Sequence, residues 1–318
     1  MTDSPRSSSS TSSRREFLKT SAAGMAAASG LSLARSAHAA GDESINIGML
    51  GCGGRCSGAA AQALAQGKDV KLAGMADVFE KRMRGKRDWF QANFPDQFIA
   101  TDETCTHGLD GYRRVIEASD AVLIACASKY HAFYAEAAVK AGKHVFIEKP
   151  HAIDPAGCRR LQNVAALAKE KNVCLISGHE SRYSYAYQEQ VKRIHDGAIG
   201  DVVSIQSMFL RGPYGTVARD PSLNETQYQF SNWYHFRWLS GDDVTQSLVH
   251  NLDRMRWVLH EENPAWCFGL AGRSTSFGEV YGDMFDHHTV VYEFKSGVRL
   301  YALCQTRGNC YPSWDDII

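Results

Sequence analysis

Gly51-Cys52-Gly53-Gly54-Arg55-Cys56 follows an apolar run at 45–50 and precedes a small-residue helical stretch at about 57–66. A turn of this kind holds an anion. Gly51 permits the tight turn, Gly53 lets the backbone come close, and the helix start offers unpaired N–H groups with a partial positive charge. A second apolar run at 70–76 ends at Asp77, 26 residues after Gly51. A carboxylate there is placed to accept from a ribose hydroxyl pair. Pyrophosphate plus ribose means a dinucleotide, and a carboxylate repels a 2′-phosphate, so the residues predict NAD rather than NADP. The third glycine position is Cys56, which predicts a slightly displaced helix.

The elements that must hold these residues can be read from the alternation that follows. Helical patterns at 80–93, 111–117, 131–141 and 155–171 alternate with apolar runs at 121–125, 144–147 and 173–177. Such alternation predicts a Rossmann-type, doubly wound parallel sheet over residues 45–177. Ligands of these sheets sit beyond the strand C-termini. That rule gathers the glycine turn with Gly53, Gly54 and Arg55, then Asp77, then the 126–131 stretch with Ser128 and His131, then Glu148-Lys149-Pro150.

Residues 178–318 read as an α+β domain with a mainly antiparallel sheet. Its strands are expected at 202–210, 265–271, 289–294 and 298–305, with a helix at 243–259. Gly178-His179-Glu180-Ser181-Arg182-Tyr183 follows the last strand of the first half and is expected to face a cleft, which makes Arg182 and Tyr183 candidates for binding substrate. Tyr234 lies in an aromatic stretch, 233–238, of a kind that either stacks on sugar faces or fills a core. Asp286, His287 and His288 suggest a metal cluster, but adjacent histidines on a strand point to opposite faces. No metal site is therefore expected, and His287 is assigned to the cleft.

With 44% hydrophobic and 22% charged residues the composition is that of an ordinary globular protein, and 318 residues allow two domains. Thirty-five basic residues balance thirty-five acidic ones, which leaves no basic field for nucleic acid. The first 39 residues read as a leader: Arg14-Arg15 with Phe17-Leu18-Lys19, a weakly apolar Ala/Gly/Ser stretch, and the small-x-small site Ala37-His38-Ala39. This resembles a twin-arginine signal peptide and predicts passage through the twin-arginine export machinery to the periplasm. The stretch is too short and Ala-rich for a lasting membrane span. Nine cysteines show no disulfide or zinc spacing, and Cys304 with Cys310 is the pair to examine.

The glycine turn, the strand before Ser128 and Gly142-Lys143-His144-Val145 leading into Glu148-Lys149-Pro150 together resemble the glucose–fructose oxidoreductase and inositol dehydrogenase (Gfo/Idh/MocA) family. So do Asp196-Gly197-Ala198-Ile199-Gly200-Asp201, Asn232-Trp233-Tyr234, Trp238-Leu239-Ser240-Gly241-Asp242 and His250-Asn251-Leu252-Asp253, the later ones resembling its exported branch. The resemblance implies Lys149 beside the nicotinamide and the substrate hydroxyl, and His250 as general acid/base. Asp253, three residues on, is a candidate for orienting His250 or for a packing contact. Many relatives carry an aspartate four residues before this histidine, where this chain has Gln246. Ala127 and Ser128 stand where relatives often have proline. Members of the resembling branch continue by about a hundred residues beyond this length, so the second domain is expected to be incomplete.

These features lead first to an exported NAD-dependent oxidoreductase of a sugar or cyclitol. A second reading keeps NAD but cleaves a glycosidic bond by transient oxidation and elimination. A third is a non-catalytic sugar-binding homologue. The sugar, and the stoichiometry of any homo-oligomer, are not written in these residues.

Overall fold

The computed structural model describes residues 44–309, 312–313 and 316–318. The leader at 1–39 and Cys310 lie outside the described residues.

The first sheet has six parallel strands in the order β3-β2-β1-β4-β5-β6. They are β1 Ile45–Leu50, β2 Val70–Asp77, β3 Cys105–His107, β4 Ala121–Ile124, β5 His144–Ile147 and β6 Leu175–Ser177. Helices α1 Gly54–Leu64, α2 Glu80–Asn93, α3 Tyr112–Glu117, α4 His131–Lys140 and α5 Pro155–Glu170 connect them. Both faces are covered. Ile47, Met49, Leu72 and Met75 pack with Cys56, Ala60, Leu64 and Phe90 on one side. Leu50, Val122, Ile124 and Ile147 pack with Tyr134, Ala135, Val139 and Val164 on the other. This double burial is why the strands read as continuous apolar runs. The three-residue β3 escaped the sequence reading because an edge strand this short carries no periodic signal.

The chain leaves β1 toward β2 on one side and enters β4 on the other. The crevice at that switch point lies between the β1 and β4 loops, where open α/β sheets bind ligands.

After the first sheet come a 3₁₀ turn, Glu180–Tyr183, and helix α6 Tyr185–His195. The second sheet has the order β11-β7-β10-β9-β8, with β7 Ser204–Arg211, β8 Pro264–Gly272, β9 His287–Phe294, β10 Arg299–Thr306 and β11 Asp316–Ile317. Only β7 with β10 is parallel; the other three pairings are antiparallel. Helices α7 Glu225–Ser231, α8 Arg237–Ser240 and α9 Val249–Val258 complete this half. Its core joins Val191, Leu248, Met255 and Val258 to Ile205, Phe294, Leu300, Ala302 and Cys304. On β8, Trp266, Phe268 and Leu270 are exposed.

Two expectations are corrected. The first helix begins at Gly54, not near residue 57, so Gly53 is its N-cap and the glycine turn runs directly into it. The helix expected over 243–259 is broken in character: Val244–Leu248 is a π-helical turn that hands over to α9. A widened turn releases backbone groups from the regular i→i+4 ladder, and such turns recur at functional sites. All eight described cysteines are free. Among the described residues no helix is long and apolar enough to cross a membrane.

Candidate active site

The glycine turn is held by sterics and by one carboxylate. Gly51 has φ +105°, and a Cβ there would lie 2.7 Å from the Ala125 carbonyl oxygen, so only glycine fits. A Cβ on Gly53 or Gly54 would meet nothing within 4 Å. Those two residues open into a cavity of about 330 Å³, lined also by Asp77, Arg82, Ser128, His131, Glu148, Lys149, Trp233 and Tyr234. No side chain caps α1, so its first N–H groups are left for an anion.

Asp77 is buried and does more than face the cavity. Its Oδ2 accepts from the Cys52 N–H at 2.8 Å and its Oδ1 from the Phe79 N–H at 2.9 Å. Arg82 brings Nη1 to 3.9 Å from the same carboxylate and lays its guanidinium over the Phe79 ring. Cys56 is fully buried with its thiol against the Leu123 carbonyl of β4 at 3.5 Å. Burial pushes that thiol up to about 12, so it stays neutral and serves helix–strand packing.

Ser128 and His131 tie loops together. Ser128 Oγ accepts from Gln246 Nε2 at 3.0 Å. The His131 ring nitrogens lie 2.7 Å from the Pro150 carbonyl and 3.1 Å from the Cys126 carbonyl, and burial lowers its pKa. His131 thus joins the β4 loop to the β5 loop. Arg55 Nε donates to Glu148 Oε1 at 2.6 Å, while Glu148 Oε2 accepts from the Lys149 N–H at 3.1 Å.

A second cavity, of about 500 Å³, shares Arg55, Glu148 and Lys149 with the first and adds Glu180, Tyr183 and His250. Lys149 therefore belongs to both. Its Nζ donates to the Gln246 carbonyl at 3.0 Å, a group inside the π-helical turn. Burial lowers the Lys149 pKa, while Glu148 and Glu180 pull it back up. His250 Nδ1 lies 3.1 Å from Glu180 Oε2. The His250 hydrogen bond holds the Glu180 carboxyl down at about 2.

Glu180, then, is the carboxylate that pairs with His250, and neither Asp253 nor residue 246 takes that place. Asp253 is held by Arg182, at 2.8 Å to Nε and 2.9 Å to Nη2, and faces His179 Nδ1 at 3.4 Å. Arg182 also reaches Glu261. Arg182 and Asp253 line neither cavity. His287 lies outside both as well; it pairs with Asp286 at 2.7 Å and its side chain is 45% exposed. Tyr183 reaches the second cavity, but Tyr234 faces the first, stacked between Trp233 and Tyr214. Glu180 was passed over in the sequence among six cleft-facing candidates. Its signal was a carboxylate just beyond a strand C-terminus.

A parallel six-stranded sheet with a bare helix start, an acid at the end of β2 and a lysine at the end of β5 defines a Rossmann-type dinucleotide-binding half. Residues 45–179 match the family model described as "Oxidoreductase family, NAD-binding Rossmann fold" (Gfo/Idh/MocA). The chain is 30% identical over 197 residues to inositol 2-dehydrogenase of Klebsiella pneumoniae, covering 60% of this chain and 51% of that one. It is 29% identical over 181 residues to inositol 2-dehydrogenase 3 of Saccharopolyspora erythraea, covering 57% and 46%. The chain thus spans about half the length of the curated relatives it matches. The fold is also that of aldose–aldose oxidoreductase from Caulobacter crescentus (TM-score 0.62, 19% identity, 83% of this chain and 72% of that chain). Myo-inositol 2-dehydrogenase from Lactobacillus plantarum is similar too (TM-score 0.63, 17% identity, 86% and 76%).

Asp77 and Arg82 are the residues expected to set the preference between NAD and NADP. Asp77→Asn removes the charge that repels a 2′-phosphate yet keeps an acceptor oxygen for the turn. It is expected to narrow the preference for NAD at some cost in thermal stability, because its NH2 group faces one of the two N–H groups that the carboxylate accepts from. Asp77→Ala strips one buried and one part-buried N–H group of their acceptor, at about 1–3 kcal/mol for the buried one, so its stability falls as well. Arg82→Ala is expected to widen the preference by removing a cation beside the carboxylate. Dissociation constants for both cofactors, measured by fluorescence titration, test this. A wild-type protein that clearly prefers NADP overturns the assignment to Asp77.

Proposed function

We propose that the protein transfers hydride between a hydroxyl or carbonyl carbon of a sugar or cyclitol and NAD. What carries this reading is Lys149, which belongs to both cavities: the one under the glycine turn and the one containing His250. The likeness to inositol 2-dehydrogenases supports a polyhydroxylated ring as substrate.

When bound, NAD supplies the hydride acceptor. The chain supplies the rest. The Lys149 ammonium holds the reacting oxygen and stabilises charge that gathers there. His250 takes the hydroxyl proton, and the Glu180 carboxylate steadies the imidazolium that forms. The Gln246 carbonyl fixes Lys149, and the Gln246 amide is itself anchored on Ser128 and Ser240.

Absorbance of NADH, followed with a panel of cyclitols, aldoses and glycosides, tests the reaction. Net NADH from a free polyol supports it. Cleavage of a glycoside without net NADH moves the assignment to the redox-cycling reading. Binding of sugars with neither outcome leaves only the binding-protein reading.

Export by the twin-arginine route is part of the same proposal and rests on Arg14, Arg15 and the Ala37-His38-Ala39 site. Arg14→Lys with Arg15→Lys is expected to leave unprocessed precursor in the cytoplasm. Normal processing of the double variant, seen by fractionation and mass, removes the export reading.

A further inference from the structure

Outside both cavities, the second domain gathers Asp243, His288 and Cys304. One donor atom from each lies within 4.8 Å of the other two, and all three residues are buried. The geometry points to a metal site of these three residues, suited to a borderline-soft divalent ion such as zinc.

The placement follows from the sheet. Cys304 on β10 and His288 on β9 are direct partners in the antiparallel ladder. Directly opposite side chains stand on the same face about 5 Å apart. Alternation turns His287 to the other face, which is why the adjacent histidines do not form the site. Asp243 comes from the segment that opens the π-helical turn and lies over this face.

The donors are also incompletely used. Asp243 is fully buried; Tyr214 and Ser247 donate to its Oδ1, and no oriented hydrogen bond reaches Oδ2. His288 is 8% exposed, has Asp242 at 3.4 Å from Nε2, and leaves Nδ1 without a hydrogen-bond partner. Buried polar atoms without partners are uncommon in folded proteins. The Cys304 thiol lies against the Asp243 carboxylate.

An ion of charge +2 matches the charge these donors can offer. The thiol proton, and any proton on the carboxyl, leaves to solvent, and a thiolate, a carboxylate and a neutral imidazole then surround the ion with net charge zero. Donors around tetrahedral zinc lie roughly 3.3–3.8 Å apart, given Zn–N and Zn–O near 2.0–2.2 Å and Zn–S near 2.3 Å. The three side chains need to close by about 1 Å, and a water or the Tyr214 hydroxyl takes the fourth position. Mixed thiolate and imidazole ligation suits zinc better than magnesium or calcium. The ion would pin the β9–β10 hairpin to the segment leading into the His250 helix, which makes the site structural.

The whole chain, produced in zinc-supplemented medium and desalted, is expected to carry one equivalent of zinc by elemental analysis. Chain produced in metal-depleted medium and given Co²⁺ is expected to show a thiolate-to-cobalt charge-transfer band. Cys304→Ser abolishes that band, His288→Gln weakens metal retention, and the exposed control Cys267→Ser leaves both intact. The thermal midpoint rises with zinc by on the order of 5–10 °C at a hundredfold excess over Kd. Wild-type chain with no stoichiometric metal, no cobalt band and a midpoint indifferent to zinc overturns the proposal. So does a band that survives Cys304→Ser.

Discussion

His250→Ala is expected to lower turnover by about 10²–10⁴-fold, the range that a positioned acid–base group contributes, with NAD affinity near wild type. His250 lines the cavity that lacks the glycine turn and Asp77, so the cofactor contacts are untouched. Glu180→Gln tests how the histidine is tuned. A hydrogen bond to a charged group is worth about 1.5–3 kcal/mol, but Glu180 is 68% exposed and solvent screening keeps the effect near the low end. About a tenfold loss in kcat is expected, with KM little changed. Gln246→Asp brings no gain, although relatives often carry aspartate there. His250 Nδ1 is already taken by Glu180, and the Gln246 amide is needed as a donor to Ser128 and Ser240. Steady-state kinetics on any accepted polyol decide this. Full activity of His250→Ala removes it from the chemistry, and a clear rise with Gln246→Asp would show that Glu180 is not its partner.

Lys149→Ala is expected to lower kcat/KM by about 10²–10³-fold, the usual loss when one preorganised donor to a developing oxyanion is removed. Both kcat and KM suffer, because an ammonium contacts the ground state and the transition state alike. Lys149→Arg is not a rescue. The Nζ fits a single carbonyl of the π-helical turn, and a planar fork of donors does not. Burial lowers the Lys149 pKa, so the protonated form is lost earlier as pH rises. Activity that depends on the ammonium therefore declines on the alkaline side below the ordinary lysine range of about 10.4. A flat alkaline profile together with near-normal kcat/KM for Lys149→Ala would overturn this role.

The cofactor half was legible in the sequence for a physical reason. Each of its signals is local: a glycine that alone tolerates φ +105°, an apolar run buried on both faces, an acid at the next strand end. Local backbone demands leave residue types behind at fixed spacing. The catalytic candidates were legible in part. Lys149 sits at a strand end that the topology rule names, and His250 rested on family resemblance rather than on spacing.

Partners that meet across long separations were not legible. Glu180 and His250 are joined by a turn and a helix of different strands of chain, and nothing near His250 announces a carboxylate 70 positions earlier. Asp253, the nearest acid in sequence, is captured by Arg182 and His179 instead. The π-helical turn left no periodic trace, yet it presents the carbonyl that receives Lys149. Asp243, His288 and Cys304 come together only when β9 and β10 pair and the π-helical segment folds over them. Sequence by itself determined the Rossmann sheet, the cofactor cradle and the identity of Lys149 and His250 as candidates. Tertiary structure alone decided which carboxylate serves the histidine, which cations are spent on structural pairs, and which side chains share a cavity, because those contacts depend on distances that packing sets and chain spacing does not.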